Sequence, residues 1–363
     1  MEPVNAAPGA MTSAFAPDQW LPQVANGLGT FSFALIISVL LLWPSRSLLR
    51  RWGVVDIPNA RSSHARTTVR GLGIAVLIAW AIAVVISAEP PLGFLTGIGA
   101  IVLIGAVDDV RSLSPRLRLG AQILVSLGIA WVLVGEVRPA LPVVIGVIVI
   151  GVFLTATINA VNFMDGVNGM SALHAVLFGC VYFVILVSFV RMDSPWIPIA
   201  AALAGAFAAF LPFNVRKVAL GFLGDAGSYG LGAIVGSLAV VTWAVTGSWI
   251  AALFPLAIYG LDTAVTAARR ITLGHNLLNP HRDHIYQRTA LRTGLPLLSA
   301  TITTMATVGM SLIAVLFAYG VINVATAITV GTAIALIYLF SPAPISRMRP
   351  GSHAPPIKST EVG

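Results

Sequence analysis

The chain has 363 residues, of which 57% are hydrophobic and only 9% charged. A soluble globular domain carries roughly 25% charged residues, so the composition excludes one and points to a polytopic membrane protein. The net charge of +8 does not make a nucleic acid the expected partner, because basic residues in a membrane protein mark its cytoplasmic loops. The single cysteine, Cys180, excludes an intrachain disulfide and a thiolate metal cluster.

In chain order, residues 1–28 read as a flexible head without the basic start of a cleaved signal peptide. A transmembrane domain follows over 29–340, and residues 341–363 read as a flexible cytoplasmic tail. Within the domain, eleven apolar stretches are expected to cross as helices: 29–44, 72–88, 91–107, 119–135, 141–158, 170–190, 197–213, 229–246, 249–266, 300–319 and 321–340. The fold class is therefore all-α, with only Tyr319-Gly320 dividing the last pair of spans.

Alternating the loops between two sides puts 19 of the 21 Lys and Arg residues on one side and only Arg138 and Arg191 on the other. That asymmetry makes the long loops cytoplasmic, the N-terminus external and the C-terminus internal. Asp56, Asp108, Asp109, Asp165, Asp225 and Asp283 fall on or beside the same loops. A carboxylate within the bilayer costs about 2.5–3.5 kcal/mol on insertion scales, so acids at these edges need a reason. Solvation at a helix end suffices for Asp56 and Asp283. It does not explain why Asp108, Asp109, Asp165 and Asp225 keep such polar company.

The first cytoplasmic loop, "DIPNARSSHARTTVRGLG", clusters Arg61, His64, Arg66 and Arg70, as anionic lipid alone would favour. "GAVDDVRS" then sets Asp108 and Asp109 side by side at the end of an apolar run. "NAVNFMDGVNGMS" supplies Asn159, Asn162, Asp165 and Asn168, with Gly166 and Gly169. These residues make a turn, or a set of oxygen ligands that backbone can approach closely. In "GFLGDAGS", Asp225 lies between Gly224 and Gly227, where Gly227 and Ser228 could offer helix N-terminal N–H groups to a phosphate. Phe222 could stack on a planar base or anchor at the interface. "NPHRDHIYQR" brings His281, Arg282, Asp283 and His284 together, better suited to phosphate than to zinc, for which no Cys or HExxH pattern speaks. Carboxylates with a basic rim fit a Mg²⁺-dependent reaction on a phosphate substrate at the membrane surface.

In this order the motifs resemble the polyprenyl-phosphate N-acetylhexosamine-1-phosphate transferases, over residues 56 to about 294. The resemblance implies transfer of a sugar 1-phosphate from a UDP-N-acetylhexosamine to undecaprenyl phosphate, releasing UMP, with Mg²⁺ (or Mn²⁺) as cofactor. It implies a multi-pass protein of a bacterial cytoplasmic membrane with a cytoplasmic site, in cell-envelope glycan synthesis, and leaves a homodimer open. By the same resemblance Asp225 ligates the metal and Asn162 helps hold metal and diphosphate. Asp108 deprotonates or positions the lipid phosphate, and Asp109 orients lipid phosphate or metal. Asp165, Asn168, Phe222 and Gly224 belong to the nucleotide site. His281, Arg282 and His284, with His64 and Arg61, belong to phosphate and sugar.

Three departures from the family pattern stand out. "DGVNG" has Asn168 where an Asp is usual, "VRGLG" lacks the proline of PRxGG, and the histidine motif is HRDH. The last is similar to members using GlcNAc or 6-deoxy amino sugars such as FucNAc and QuiNAc, as in O-antigen initiation, and unlike the MurNAc-pentapeptide branch. A secondary transporter would place charges near the bilayer midplane, whereas here the span interiors are nearly free of them, with Asp262 the main exception. A CDP-alcohol phosphotransferase would carry DGxxAR, which is absent.

Overall fold

The computed structural model describes residues 17–58, 66–137, 142–190, 193–276 and 281–342. Helix α1 (Pro17–Arg51) leads into a two-stranded antiparallel ribbon, β1 (Val55–Asp56) and β2 (Thr68–Val69). Helices α2 (Gly73–Ser87), α3 (Leu92–Arg111), α4 (Pro115–Val137), α5 (Val143–Met164) and α6 (Met170–Phe189) follow. Next come α7 (Trp196–Asn214), α8 (Gly224–Thr246), α9 (Trp249–Leu253) and α10 (Ala257–Thr272). The chain closes with α11 (Ile285–Thr293), α12 (Pro296–Ala318) and α13 (Val324–Phe340).

The protein is an all-α, multi-pass membrane protein. Among the described residues nine helices are long and apolar enough to cross a bilayer, and Gly73–Ser87 and Val324–Phe340 are shorter apolar helices. Each of the eleven expected spans falls on one of these. The ninth is broken: Pro255 sits in a 3₁₀ turn, Phe254–Leu256, that joins α9 to α10, where a proline removes the backbone donor a continuous helix needs. Three features were not expected. Helix α1 begins at Pro17, within the stretch read as the head, and the ribbon and the short helix α11 lie in stretches read as loops.

Helices α7 and α8 form the buried centre, with 83% and 78% of their most apolar windows inside the protein. Helix α8 packs against α2, α3, α5 and α6. Without a hydrophobic drive between helices in lipid, close backbone approach must supply the contact energy. Small residues allow it: a Cβ on Gly232 would come within 2.6 Å of the Ile158 Cα, and one on Gly105 within 2.5 Å of the Ala226 Cα. These contacts bring the end of α3, the end of α5 and the start of α8 to one place.

Candidate active site

The polar ends of α3 and α8 are tied together by two neighbouring carboxylates that point different ways. Asp109 turns inward, 2% exposed, and bonds Arg70 Nε at 2.7 Å. Its two oxygens also accept the backbone N–H groups of Asp225 (2.9 Å) and Ala226 (3.1 Å). It therefore caps α8 from another helix, because the N-cap residue Leu223 offers no side-chain acceptor. At this helix start the N–H groups of Asp225 and Ala226, just ahead of the Gly227 and Ser228 groups expected to meet a phosphate, are taken within the protein. Asp109 accepts them, Gly227 is packed on Gly73, and the Ser228 hydroxyl donates to Asn162 Oδ1 at 2.9 Å.

Gly224 makes the junction possible. Its φ of +79° suits glycine, and a Cβ there would lie 2.6 Å from Asp109 Oδ2 and 2.8 Å from the Gly71 Cα. Its role is thus in the backbone. The ribbon fixes Arg70 over the same point: Phe222 N–H donates to the Val69 carbonyl at 2.8 Å, and Leu72 N–H to that of Phe222 at 3.1 Å. Arg70 Nη2 then pairs with Asp225 Oδ2 at 2.8 Å.

Asp108, by contrast, lines a cavity of about 880 Å³. Its Oδ1 accepts Leu113 N–H at 2.7 Å, and its Oδ2 accepts Tyr229 OH at 2.8 Å and Arg118 Nη1 at 3.3 Å. Arg70, Arg118, Asn162, Asp225, His281 and His284 share this polar end. The other end is apolar, with Leu119, Ile123 and Leu127 on α4 facing Val152 and Ala156 on α5. Ile123 and Val152 are 43% and 63% exposed on the helix surface, so the cavity opens sideways where lipid chains would lie.

His284 donates from Nδ1 to Asp262 Oδ1 at 2.9 Å, and the His281 ring stacks on it at 5.1 Å. Burial, with the charges of His284 and Arg270, lowers the pKa of His281. Asp165 is half-buried in the turn after α5; loss of water pushes its pKa up to about 7, with the nearby Asp225 adding to the rise.

The structure thus gathers Asp108, Asn162, Asp225, His281 and His284 on one cavity and leaves other expected residues off its lining. Asp109 and Gly224 stand behind it as support. Asp165, Asn168, Phe222 and Arg282 do not line it. Asn168 Nδ2 donates to the Arg216 carbonyl at 2.9 Å, a bond that the usual Asp would replace with two facing acceptors. Arg61 and His64 lie outside the described residues. Sequence reasoning passed over Arg118 and Tyr229 as site residues. The signal was there for Tyr229, which follows Asp225 by four positions and so shares its helix face.

Hard-cation chemistry is compatible with this donor set. Asp225 and Asn162 offer a carboxylate and an amide oxygen to the cavity, and among the described residues no group of three His, Cys, Asp or Glu forms a closed cage. Mg²⁺ usually takes one or two carboxylates and fills the rest of its shell with water and substrate phosphate.

A multi-pass membrane protein with a polar-ended cavity that opens between its helices is the class that fold and site define. Residues 91–243 match the family model for glycosyl transferase family 4, a segment running from α3 to near the end of α8. A decaprenyl-phosphate N-acetylglucosaminephosphotransferase of Mycolicibacterium smegmatis is 29% identical over 297 residues, 70% of this chain and 73% of the relative. The undecaprenyl-phosphate alpha-N-acetylglucosaminyl 1-phosphate transferase of Escherichia coli K12 is 28% identical over 281 residues, covering 69% and 73%. A phospho-N-acetylmuramoyl-pentapeptide-transferase of Clostridium beijerinckii is 27% identical over 208 residues, covering 51% and 63%. The family match and these relatives together support placing the chain with the polyprenyl-phosphate N-acetylhexosamine-1-phosphate transferases of glycosyl transferase family 4.

Proposed function

We propose that the protein transfers an N-acetylhexosamine 1-phosphate from its UDP ester to a polyprenyl phosphate, on the cytoplasmic side of a bacterial inner membrane and with Mg²⁺. The observation that carries the reading is the two-ended cavity. Its apolar end, between α4 and α5, suits isoprenoid units, and its polar end suits a diphosphate. Leu127 lies twelve residues into α4, or about 18 Å along the helix, deep enough to accompany a lipid tail into the hydrocarbon.

In the reaction a lipid phosphate oxygen attacks the sugar-bearing phosphorus of the UDP-sugar. A new P–O bond forms, the bond to the UMP oxygen breaks, and UMP leaves. A phosphate monoester has its second pKa near 6, so the nucleophile carries little proton to remove near neutrality. Asp108 already accepts from three donors, which supports a positioning role: it holds Arg118 beside the lipid phosphate. Arg70 and the two histidines face the charge that builds on the diphosphate, where preorganised donors lower the barrier. Asp225 and Asn162 would hold Mg²⁺, which when bound neutralises diphosphate charge and eases departure of UMP.

The test combines purified protein, undecaprenyl phosphate, Mg²⁺ and a panel of UDP-sugars, following UMP and lipid-diphosphate-sugar together. Product with UDP-GlcNAc, or only with a 6-deoxy amino sugar such as FucNAc or QuiNAc, supports the reaction and names the donor. No product from well-folded protein with any donor overturns it.

A further inference from the structure

Asp262 lies on α10 and is 0% exposed. Five donors converge on it. Oδ1 accepts from His284 Nδ1 at 2.9 Å, Ile285 N–H at 3.1 Å and Thr266 Oγ1 at 3.2 Å. Oδ2 accepts from Tyr286 N–H at 3.2 Å and Tyr338 OH at 2.6 Å. No Lys or Arg pairs with it among the described residues; its one ion-pair partner is His284.

Capping α11 does not by itself account for a buried carboxylate. The N-cap residue of that helix is His284, which makes no side-chain cap, and a Ser or Asn there would do the same work without burying a charge. What Ser could not do is hold the imidazole. The bond from Nδ1 fixes a proton on that nitrogen and leaves Nε2 for the cavity that His284 lines. His281 and Phe163 pack against the same ring, with centroids at 5.1 and 5.7 Å.

We infer that Asp262 is a positioning residue that orients His284 toward the diphosphate, and that Tyr338 extends this relay to the last helix. Resting on the transferase reading for its substrate, the relay gives α13 a part in the chemistry. A second tether, Arg292 Nη1 to the Pro342 carbonyl at 2.8 Å, holds the end of α13 to α11. By analogy with the partners that orient metal-bound histidines, removing such a support should cost about 10–100-fold in activity.

The experiment is a double-mutant cycle on full-length protein, pairing Tyr338→Phe and Asp262→Asn each with His284→Ala. Tyr338→Phe and Asp262→Asn should lower kcat, with Asp262→Asn the more severe, and leave KM for the UDP-sugar little changed. In the His284→Ala background neither should lower kcat further, because the ring they orient is gone. Equal losses in both backgrounds would make Asp262 a purely structural cap and overturn the relay. Unchanged kcat in His284→Ala overturns both the relay and the histidine's place in the reaction. A spectrum of ¹⁵N-histidine-labelled protein reads the bond without turnover, with the His284 signal identified by its loss in His284→Ala. A protonated Nδ1 that shifts in Tyr338→Phe and Asp262→Asn supports the relay even if the proposed transfer fails. An unprotonated Nδ1, or one indifferent to both variants, overturns it.

Discussion

Asp109 accepts the backbone N–H of Asp225 at 2.9 Å, so one member of the aspartate pair builds the platform on which Asp225 stands. Successive residues on a helix point about 100° apart. At the end of α3 that difference sends Asp108 into the cavity and Asp109 toward α8. The adjacent carboxylates do separate jobs, and substitution should separate them.

Asp109→Ala leaves two helix N–H groups and Arg70 Nε without their acceptor, while Arg70 Nη2 keeps Asp225. A loss of about 3 kcal/mol in stability is expected, as for buried N–H groups left unsatisfied, with activity falling because Asp225 moves. Asp108→Asn should melt close to wild type yet lose several decades in turnover, with UDP-sugar binding only modestly weaker. Thermal unfolding and UMP release on both variants check the division. A stable Asp109→Ala protein would remove the platform role.

Asp225→Asn should abolish turnover while the protein still inserts and folds. Its carboxylate is 18% exposed and pairs with a half-solvated Arg70, so an amide costs little in stability. Mg²⁺ added across a wide range should not restore the rate. Near-normal UMP release, or full rescue at high Mg²⁺, would take metal ligation away from Asp225.

Asp165 gives a pH signature. Its folded pKa of about 7 lies above the value of about 4 expected in an unfolded chain. Between those values the folded state keeps a proton that the unfolded chain has released, so stability falls as pH rises through this window and levels off above 7. Asn at 165 has no such proton. Asp165→Asn should therefore melt near wild type at pH 5 and above it at pH 8, by scanning calorimetry in one detergent. A constant offset at both pH values would show that Asp165 is not the group.

The spans were legible because bilayer thickness fixes their length and the chain writes each as an apolar run; α9 and α10 read as one span for the same reason, despite Pro255. The first helix started early because a cytoplasm- or periplasm-facing extension of a helix need not be apolar, so hydropathy cannot see Pro17–Gly27. Among site residues, Asp108, Asn162 and Asp225 were legible as polar groups at apolar edges. The division between Asp108 and Asp109 was not, since it depends on which way α3 is rotated against α8. Nor was the role of Asp262, whose partners on α11 and α13 lie 22 to 76 residues away; only its presence in an apolar run marked it.

The apolar end of the cavity offers the sharpest separation of the two substrates. Ala156 on α5 faces the α4 side chains Ile123 and Leu127 across it, six residues before Asn162. A tryptophan at 156 would fill space that the isoprenoid needs and leave the diphosphate end untouched, because bulk in a formed pocket acts on the group that occupies it. Ala156→Trp should raise KM for undecaprenyl phosphate about tenfold or more, the scale of one misfit in an apolar pocket. KM for the UDP-sugar and the melting temperature should stay near wild type, and a short-chain polyprenyl phosphate should be hindered less than the full-length lipid. Equal effects on both substrates would mean that the tail does not run between α4 and α5, and the lipid would then have to reach Asp108 from another side of the bundle.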